Sequence, residues 1–462
     1  MIPHPDARLV VAATGRLLTG ATLASQVDEM AERLVALPPG VLLAAMPVTL
    51  AAVLRYLAAL RAGRAVALVD PARPPDPLVA AFEPAAVLGA DPLAPPPPGY
   101  GTADLGGPAW VRRRPDGVAP HPDLAVLLPT SGSTGSSRYV RLSRSAITAN
   151  AEAITTVLGI GQDDIAPTSL PLHYSYGMSV LNSHLRAGAT VVIDDSGLLA
   201  RSFWQAVDLY RITSLAGVPH HYRLLHRLRF DPVRHPTLRT LTQAGGALPV
   251  DLVNRFHAGM AAAGGRLFVM YGQTEAAPRM ATLPPERLPE RAGSVGFALP
   301  GGRFTVRLPD GSDTDRPGVT GEIVYTGPNV MLGYAGTAAD LARGDDCLGV
   351  LPTGDLGHLA ADGCLTVTGR LARIGKVFGH RVSLDDLERL AGSAGVAAVA
   401  AGDRVTLYVE GADSRGTAAT ARELAGRLRM HVSGFDVRGI DSIPLLSTGK
   451  VDYRALEALC AH

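Results

Sequence analysis

The sequence predicts an α/β protein: a large N-terminal domain of helix-covered sheets with a β-rich subdomain, residues 1–371, followed by a small α/β C-terminal domain, residues 372–462. Three observations predict it. Residues 1 to about 120 alternate short apolar runs with Ala/Leu-rich stretches of helical period, the pattern of a parallel sheet covered by helices. Between Gly321 and Tyr334, Gly/Pro turns separate short strand-like runs. From Leu371 onward the alternation restarts as a small separate unit. A chain of 462 residues is long enough for two to four domains, each with its own core.

In chain order, Val41 to Met46 reads as a buried strand, Thr49 to Arg61 as an amphipathic helix, and Ala65 to Val69 as a strand ending at Asp70-Pro71. Pro95 to Pro98 is an exposed connector. The apolar strand Leu124 to Leu128 feeds a Ser/Thr/Gly loop, behind which Ala146 to Leu158 reads as a helix. A further unit runs through Pro171 to Gly177 and a helix to the strand Thr190 to Ile193. Ser214 to Pro219 opens another helix. Leu238 to Thr242 leads to Ala244-Gly245-Gly246-Ala247, and the strand Leu267 to Met270 leads to Tyr271-Gly272-Gln273-Thr274-Glu275. The C-terminal unit carries Lys376 to Val382, a helix at Leu384 to Leu390, strands near Val396 and at Val405 to Val409, and a last helix.

The totals exclude several functions. Forty-three basic against forty-two acidic side chains leave no cationic surplus to release counterions, so nucleic acid is not an expected partner. Cys347, Cys364 and Cys460 have no metal-ligand spacing, and so sparse and odd a count suits a reducing cytoplasm. Met1 to Pro5 has neither a basic nor an apolar leader region, and no window reaches about 18 apolar residues. The expectation is a cytoplasmic enzyme without membrane insertion.

Chemistry first shows at Leu127 to Arg138. Glycines let backbone N–H groups approach an anion, hydroxyls add donors, and an arginine can pair with phosphate oxygens through two parallel bonds. A solvated Ser/Gly linker has the same composition, but the strand before this loop and the helix after it argue for phosphate. The spacing is not that of a Walker A loop.

This stretch resembles the phosphate-binding loop of the AMP-forming adenylating superfamily: acyl-CoA synthetases, aryl acid ligases, peptide-synthetase adenylation domains and luciferases. Ser137 stands where that family usually has proline, and Arg138 where it has lysine. The resemblance implies that Thr130, Ser131, Gly132, Ser133, Thr134, Gly135 and Arg138 cradle ATP. It implies that Gly245, Gly246 and Ala247 line the adenine and acid pockets, that Tyr271 and Gly272 meet adenine, and that Thr274 donates to the α-phosphate. Glu275 would then hold Mg²⁺, Asp355 the ribose hydroxyls, and Arg370 the ribose and phosphate side. His173 matches a position bordering the acid pocket, and Arg279 is a further candidate there. Lys450, in Ser447-Thr448-Gly449-Lys450, corresponds to the lysine that neutralises charge between the attacking carboxylate and the α-phosphate.

The resemblance also implies that the C-terminal domain is mobile, turning about a hinge usually occupied by Asp or Lys; this chain has Ala372 there, which puts control of the second half-reaction in question. Lys376 and Gly379 resemble residues that meet the incoming acceptor. The implied reaction joins a small-molecule acid to AMP with pyrophosphate release, then passes the acyl group to a thiol of CoA or of a carrier-protein phosphopantetheine. No carboxylate falls between Ser169 and Ile193, where amino-acid-activating relatives place one, so an ordinary α-amino acid is disfavoured. Two alternatives stay open. Leu181 to His184 and Arg279-Met280 look unlike the usual CoA ligases and allow transfer of an activated oxyacid, such as nitrite, to an amine. Ser137, Arg138 and Ala372 allow a nucleotide-binding regulator without catalysis.

Overall fold

The computed structural model describes residues 3–129, 138–378, 380–392, 395–401 and 404–460. Among these, the apolar runs of the first third form the centre of an eight-stranded sheet. Its order is Gly333–Ala335, Tyr139–Ser143, Leu124–Pro129, Val66–Val69, Leu42–Ala45, Ala86–Leu88, Pro108–Arg112, Tyr100–Asp104. The four inner strands, from Leu124–Pro129 to Ala86–Leu88, are parallel. Parallel strands are covered on both faces, which is why they are almost continuously apolar; Leu42, Leu43, Val66, Leu68, Val126 and Leu127 are all fully buried. The helix Leu50–Arg61 begins where the Thr49 hydroxyl accepts from the Ala52 N–H, satisfying one of the amides that a helix start leaves without a partner.

A second sheet aligns Ser214–Gly217, Thr240–Gln243 and Arg266–Gly272 in parallel and adds Arg279–Leu283 and Phe297–Ala298 antiparallel. The carboxyl ends of its parallel strands carry Gly217, Ala244-Gly245-Gly246 and Gln273-Thr274-Glu275, so three of the sequence motifs leave the sheet on one side, where open α/β sheets place ligands. A smaller sheet joins Ile165–Pro167, Thr190–Ile193, Arg8–Val11 and Arg16–Thr19.

The β-rich part is a five-stranded antiparallel sheet of Asp313–Thr314, Arg303–Arg307, Gly321–Thr326, Val350–Leu359 and Leu365–Arg370. One sequence expectation is corrected here. Gly333-Tyr334, read as part of this subdomain, instead pairs with Tyr139–Ser143 at the edge of the eight-stranded sheet. The cause is Arg141: its fully buried guanidinium donates to the carbonyls of Leu332 and Arg343 and to Asp346, and draws that segment across.

After Arg370 the chain forms the hairpin Ile374–Val377 with His380–Ser383, a three-stranded sheet of Val396–Ala401, Arg404–Glu410 and Phe435–Ile440, and the helices Leu384–Ala391, Ser414–Leu428 and Tyr453–Cys460. Val377, Leu387, Ala398, Leu407 and Leu424 give it a core of its own. Around the expected hinge, Leu371 bonds back to the Gly354 carbonyl, whereas Arg373 bonds forward to Asp385, Glu388, Tyr453 and the Ala398 carbonyl. Ala372 between them is an exposed turn residue. No helix among the described residues is long and apolar enough to cross a membrane.

Candidate active site

Lys450 marks the centre of the cleft. Its loop is a tight turn: Gly449 takes φ +75°, its N–H donates to the Leu446 carbonyl, and Leu446 and Lys450 pair at 2.8 Å. A Cβ on Gly449 would stand 2.9 Å from Val218, so glycine lets this loop approach the second sheet. The residue keeps some surface in solvent, but its ammonium lies among protein atoms, 5.4 Å from the centre of the Tyr174 ring. Burial first, and then repulsion by Arg370, lower its pKa from 10.5 to about 8, while Glu275 and Asp355 pull the other way. Four charged side chains far apart in sequence therefore act on one another here. Nearby, Ser447 donates to Asp70 at 3.2 Å and ties the same loop to the end of a strand of the large sheet.

Gly245, at φ +85°, is the part of the double glycine closest to Lys450: a Cβ there would lie 2.6 Å from the Tyr174 hydroxyl and 3.9 Å from the Lys450 side chain. Gly246 would press on Pro219, and its carbonyl accepts from Gln243. Gly272 is forced by a different neighbour, since a Cβ would collide with the Pro278 carbonyl.

Asp355 is buried on the strand Val350–Leu359, where Tyr271 donates to its Oδ2 at 2.5 Å and Arg370 to its Oδ1 at 3.0 Å. Each carboxylate oxygen offers a second lone pair, so two acceptor sites remain for a vicinal diol. Burial and the Asp355 charge push the Tyr271 hydroxyl far above its ordinary pKa, which keeps it a donor. Thr274 and Glu275 lie in one helical turn after the strand Arg266–Gly272. The Thr274 hydroxyl meets that of Ser175 at 3.1 Å, and Tyr334 donates to Glu275 Oε1 at 3.0 Å. A carboxylate with one oxygen steadied and the other without a donor among the described residues is suited to a hard divalent cation.

The remaining expected residues divide. Thr130, Ser131, Gly132, Ser133, Thr134, Gly135 and Ser137 lie outside the described residues, as does Gly379. Arg138 is exposed and its charge acts on Tyr334, on the Glu275 side of the cleft. Ala247 follows Gly246 on the same exposed turn. His173 is buried with its Nε2 3.7 Å from Asp70, and burial lowers its pKa. Lys376 is exposed on its hairpin.

Next to the cleft, a small pocket is lined by Ile154, Leu158, Ser179, Ala216, Thr242 and Arg279, among others. Arg279 was only a secondary candidate in the sequence, yet it is the charged group that the fold fixes most firmly. Asn150 clamps its backbone N–H and C=O, Asn329 donates to the same carbonyl, and both asparagines are buried. Arg279 is 4% exposed, its guanidinium stacks 3.7 Å over the Tyr176 ring, and Tyr176 is held by Thr242. An unpaired buried ion costs on the order of several kcal/mol, whereas a desolvated cation–π contact returns roughly 2 kcal/mol. Leu181 to His184 prove to be interior: Asn182 accepts from Tyr56 and His184 meets Ser214, so their polarity is satisfied inside the fold.

Sequence reasoning missed Tyr174, Tyr334, Asn150 and Asn329. Tyr174 was visible beside Ser175 and Tyr176, but the others act across the fold and leave no local signal.

Comparison with known proteins agrees with this cleft. Residues 3–335 match the family model described as AMP-binding enzyme. The chain is 31% identical over 373 residues to an indoleacetate–CoA ligase of Aromatoleum aromaticum, covering 76% of this chain and 71% of that protein. It is 31% identical over 353 residues to an L-proline–[L-prolyl-carrier protein] ligase of Streptomyces coelicolor, covering 72% and 66%. Among solved structures, the ATP-bound MatB of Rhodopseudomonas palustris superposes with a TM-score of 0.78 at 23% identity, over 99% of this chain and 97% of that one, a likeness of fold. These matches and the charged cleft lead to one conclusion: the chain belongs to the AMP-binding enzyme family, as an ATP-dependent ligase that forms acyl-adenylates from carboxylic acids.

Proposed function

We propose that residues 1–371 bind ATP and the acid, that residues 372–462 form a lid delivering Lys450, and that the adenylate is passed to a thiol of CoA or of a carrier-protein phosphopantetheine. The observation that carries this reading is the enclosed Lys450 ammonium, on a loop of the C-terminal unit, acting on Glu275, Asp355 and Arg370 of the larger one. A carboxylate oxygen attacks the α-phosphorus, the bond to the leaving pyrophosphate breaks, and negative charge builds on the transferring phosphoryl group. Little covalent work falls to the protein, so positioning and neutralisation supply the rate. Lys450 supplies the cation, Thr274 donates to the α-phosphate, Asp355 accepts from the ribose hydroxyls, and the Tyr271 ring faces adenine. Gly245, Gly246 and Ala247 leave room for the base, Arg138 and the loop before it hold phosphates, and His173 borders the acid. Glu275 would hold Mg²⁺, which lowers the charge of the triphosphate when bound.

In the second step the thiol sulfur attacks the acyl carbon, its proton goes to solvent and AMP leaves. Lys376 and Gly379 meet the acceptor once the chain has turned about Ala372. The names of the two CoA-type and carrier-protein-type relatives support a thiol, and an amine is the competing acceptor. Acid-dependent ATP–pyrophosphate exchange tests the first step, and trapping the acyl group on CoA, on a phosphopantetheinylated carrier or on a primary amine tests the second. Exchange that does not depend on added acid rejects the reading.

A further inference from the structure

Accepting adenylation at this cleft, Arg279 specifies what kind of acid enters it. A guanidinium does not deprotonate in proteins, so a buried one needs an anion. Among the described residues none is provided. No carboxylate pairs with Arg279; the groups acting on it are the tyrosines 174 and 176. Asp164 also lines the cavity, but it is already engaged by Thr213, Arg239 and the Gly161 N–H. His184, at the same cavity, is held by burial in its neutral form.

The reacting carboxylate cannot serve as that anion. It belongs beside Lys450, whose ammonium contacts Tyr174, while Arg279 lies on Tyr176, and the two rings stand edge to face at 6.2 Å. The two cations therefore sit on different rings of one aromatic pair, and each can take its own anion. We propose that the substrate is a dianionic acid, in the simplest case a dicarboxylic acid, whose second carboxylate pairs with Arg279 in the cavity while the first faces Lys450. The double asparagine clamp holds the arginine before any ligand arrives.

The test uses the full chain with the α,ω-dicarboxylates from malonate to adipate and with isophthalate, each beside the monoacid that lacks the second carboxylate, and with nitrite. Acid-dependent pyrophosphate exchange should favour one dicarboxylate over its monoacid at least 100-fold in kcat/KM. Arg279→Met should erase that preference, and Arg279→Lys should keep part of it. Monoacids or nitrite that react as well as every dicarboxylate overturn the inference while leaving adenylation standing. If no acid supports exchange, adenylation itself fails, and calorimetric binding decides the arginine's role separately. Dicarboxylate binding at least tenfold tighter than monoacid binding, lost in a folded Arg279→Met chain, supports the subsite, and equal binding refutes it.

Discussion

Lys450 permits the sharpest test, because its pKa and its role predict the same limb of a pH profile. The adenylating form is the ammonium, and a lysine at about 8 holds its proton below that pH and loses it above. In kcat/KM for ATP, which reports ionisations of the free enzyme, exchange should be flat at neutral pH and fall tenfold per unit above about pH 8. At pH 9.5 the loss is about 30-fold, whereas a lysine at its ordinary pKa would lose roughly a tenth of its ammonium. In kcat the same limb should move to higher pH, since the bound triphosphate favours the charged form. Lys450→Ala should lower exchange about 10²–10³-fold, the usual result of deleting one preorganised charge donor, and should remove the limb. Lys450→Arg keeps a cation that does not titrate and should also lose the limb. Omitting the thiol acceptor keeps its own ionisation out of the assay. A wild-type kcat/KM that stays flat to pH 9.5, or a limb that survives in Lys450→Ala, refutes the assignment.

Three substitutions test the surroundings. Gly245→Ala puts a Cβ at φ +85° within 2.6 Å of the Tyr174 hydroxyl; it should cost about 1–3 kcal/mol in stability and at least tenfold in exchange, measured by thermal melting and pyrophosphate assay. Tyr271→Phe removes a hydroxyl donating to a buried carboxylate, a loss of about 1.5–3 kcal/mol. It keeps the aromatic face, so the melting temperature should drop while KM for ATP rises less than about tenfold. Arg141→Met strands the carbonyls of Leu332 and Arg343 and leaves Asp346 with Arg343 alone; a cost of about 1–3 kcal/mol is expected for leaving buried acceptors without a donor. Because Tyr334 sits on the strand that Arg141 anchors, the exchange assay should also demand more Mg²⁺.

What could be read from the sequence was local. The strand Arg266–Gly272 is apolar up to the point where Tyr271 begins a polar run, and the turn that carries Glu275 follows directly. Gly245 and Gly449 announced themselves because only glycine tolerates their φ angles and approaches. What could not be read depends on partners far along the chain. Gly333–Ala335 has the composition of a β-rich turn region, and its sheet is decided by Arg141. Asn182 and His184 look anomalous inside an apolar helix until Tyr56 and Ser214 are seen opposite them. Arg279 could be read as a pocket candidate, but its firm placement shows only when Asn150 and Asn329 close on its backbone. Periodicity reports which face a residue takes, but not which distant side chain meets it there.

The charges of the cleft also explain why nucleotide and lid would act together. Asp355 is already matched by Arg370 and by the Tyr271 hydroxyl, which leaves Glu275 as the nearby carboxylate for the Lys450 ammonium. With Arg370 repelling it and burial opposing it, that ammonium is disfavoured by on the order of 3 kcal/mol, the equivalent of its pKa depression. A triphosphate would reverse the sign by supplying anions to both Arg370 and Lys450. Departure of pyrophosphate would remove most of them again, so a lysine serving adenylation would be disfavoured in the cleft, and free to leave it, once that product has gone. Ala372 offers no side chain to resist that movement, and the charge carried by the nucleotide, more than the hinge residue, would set the direction of the turn.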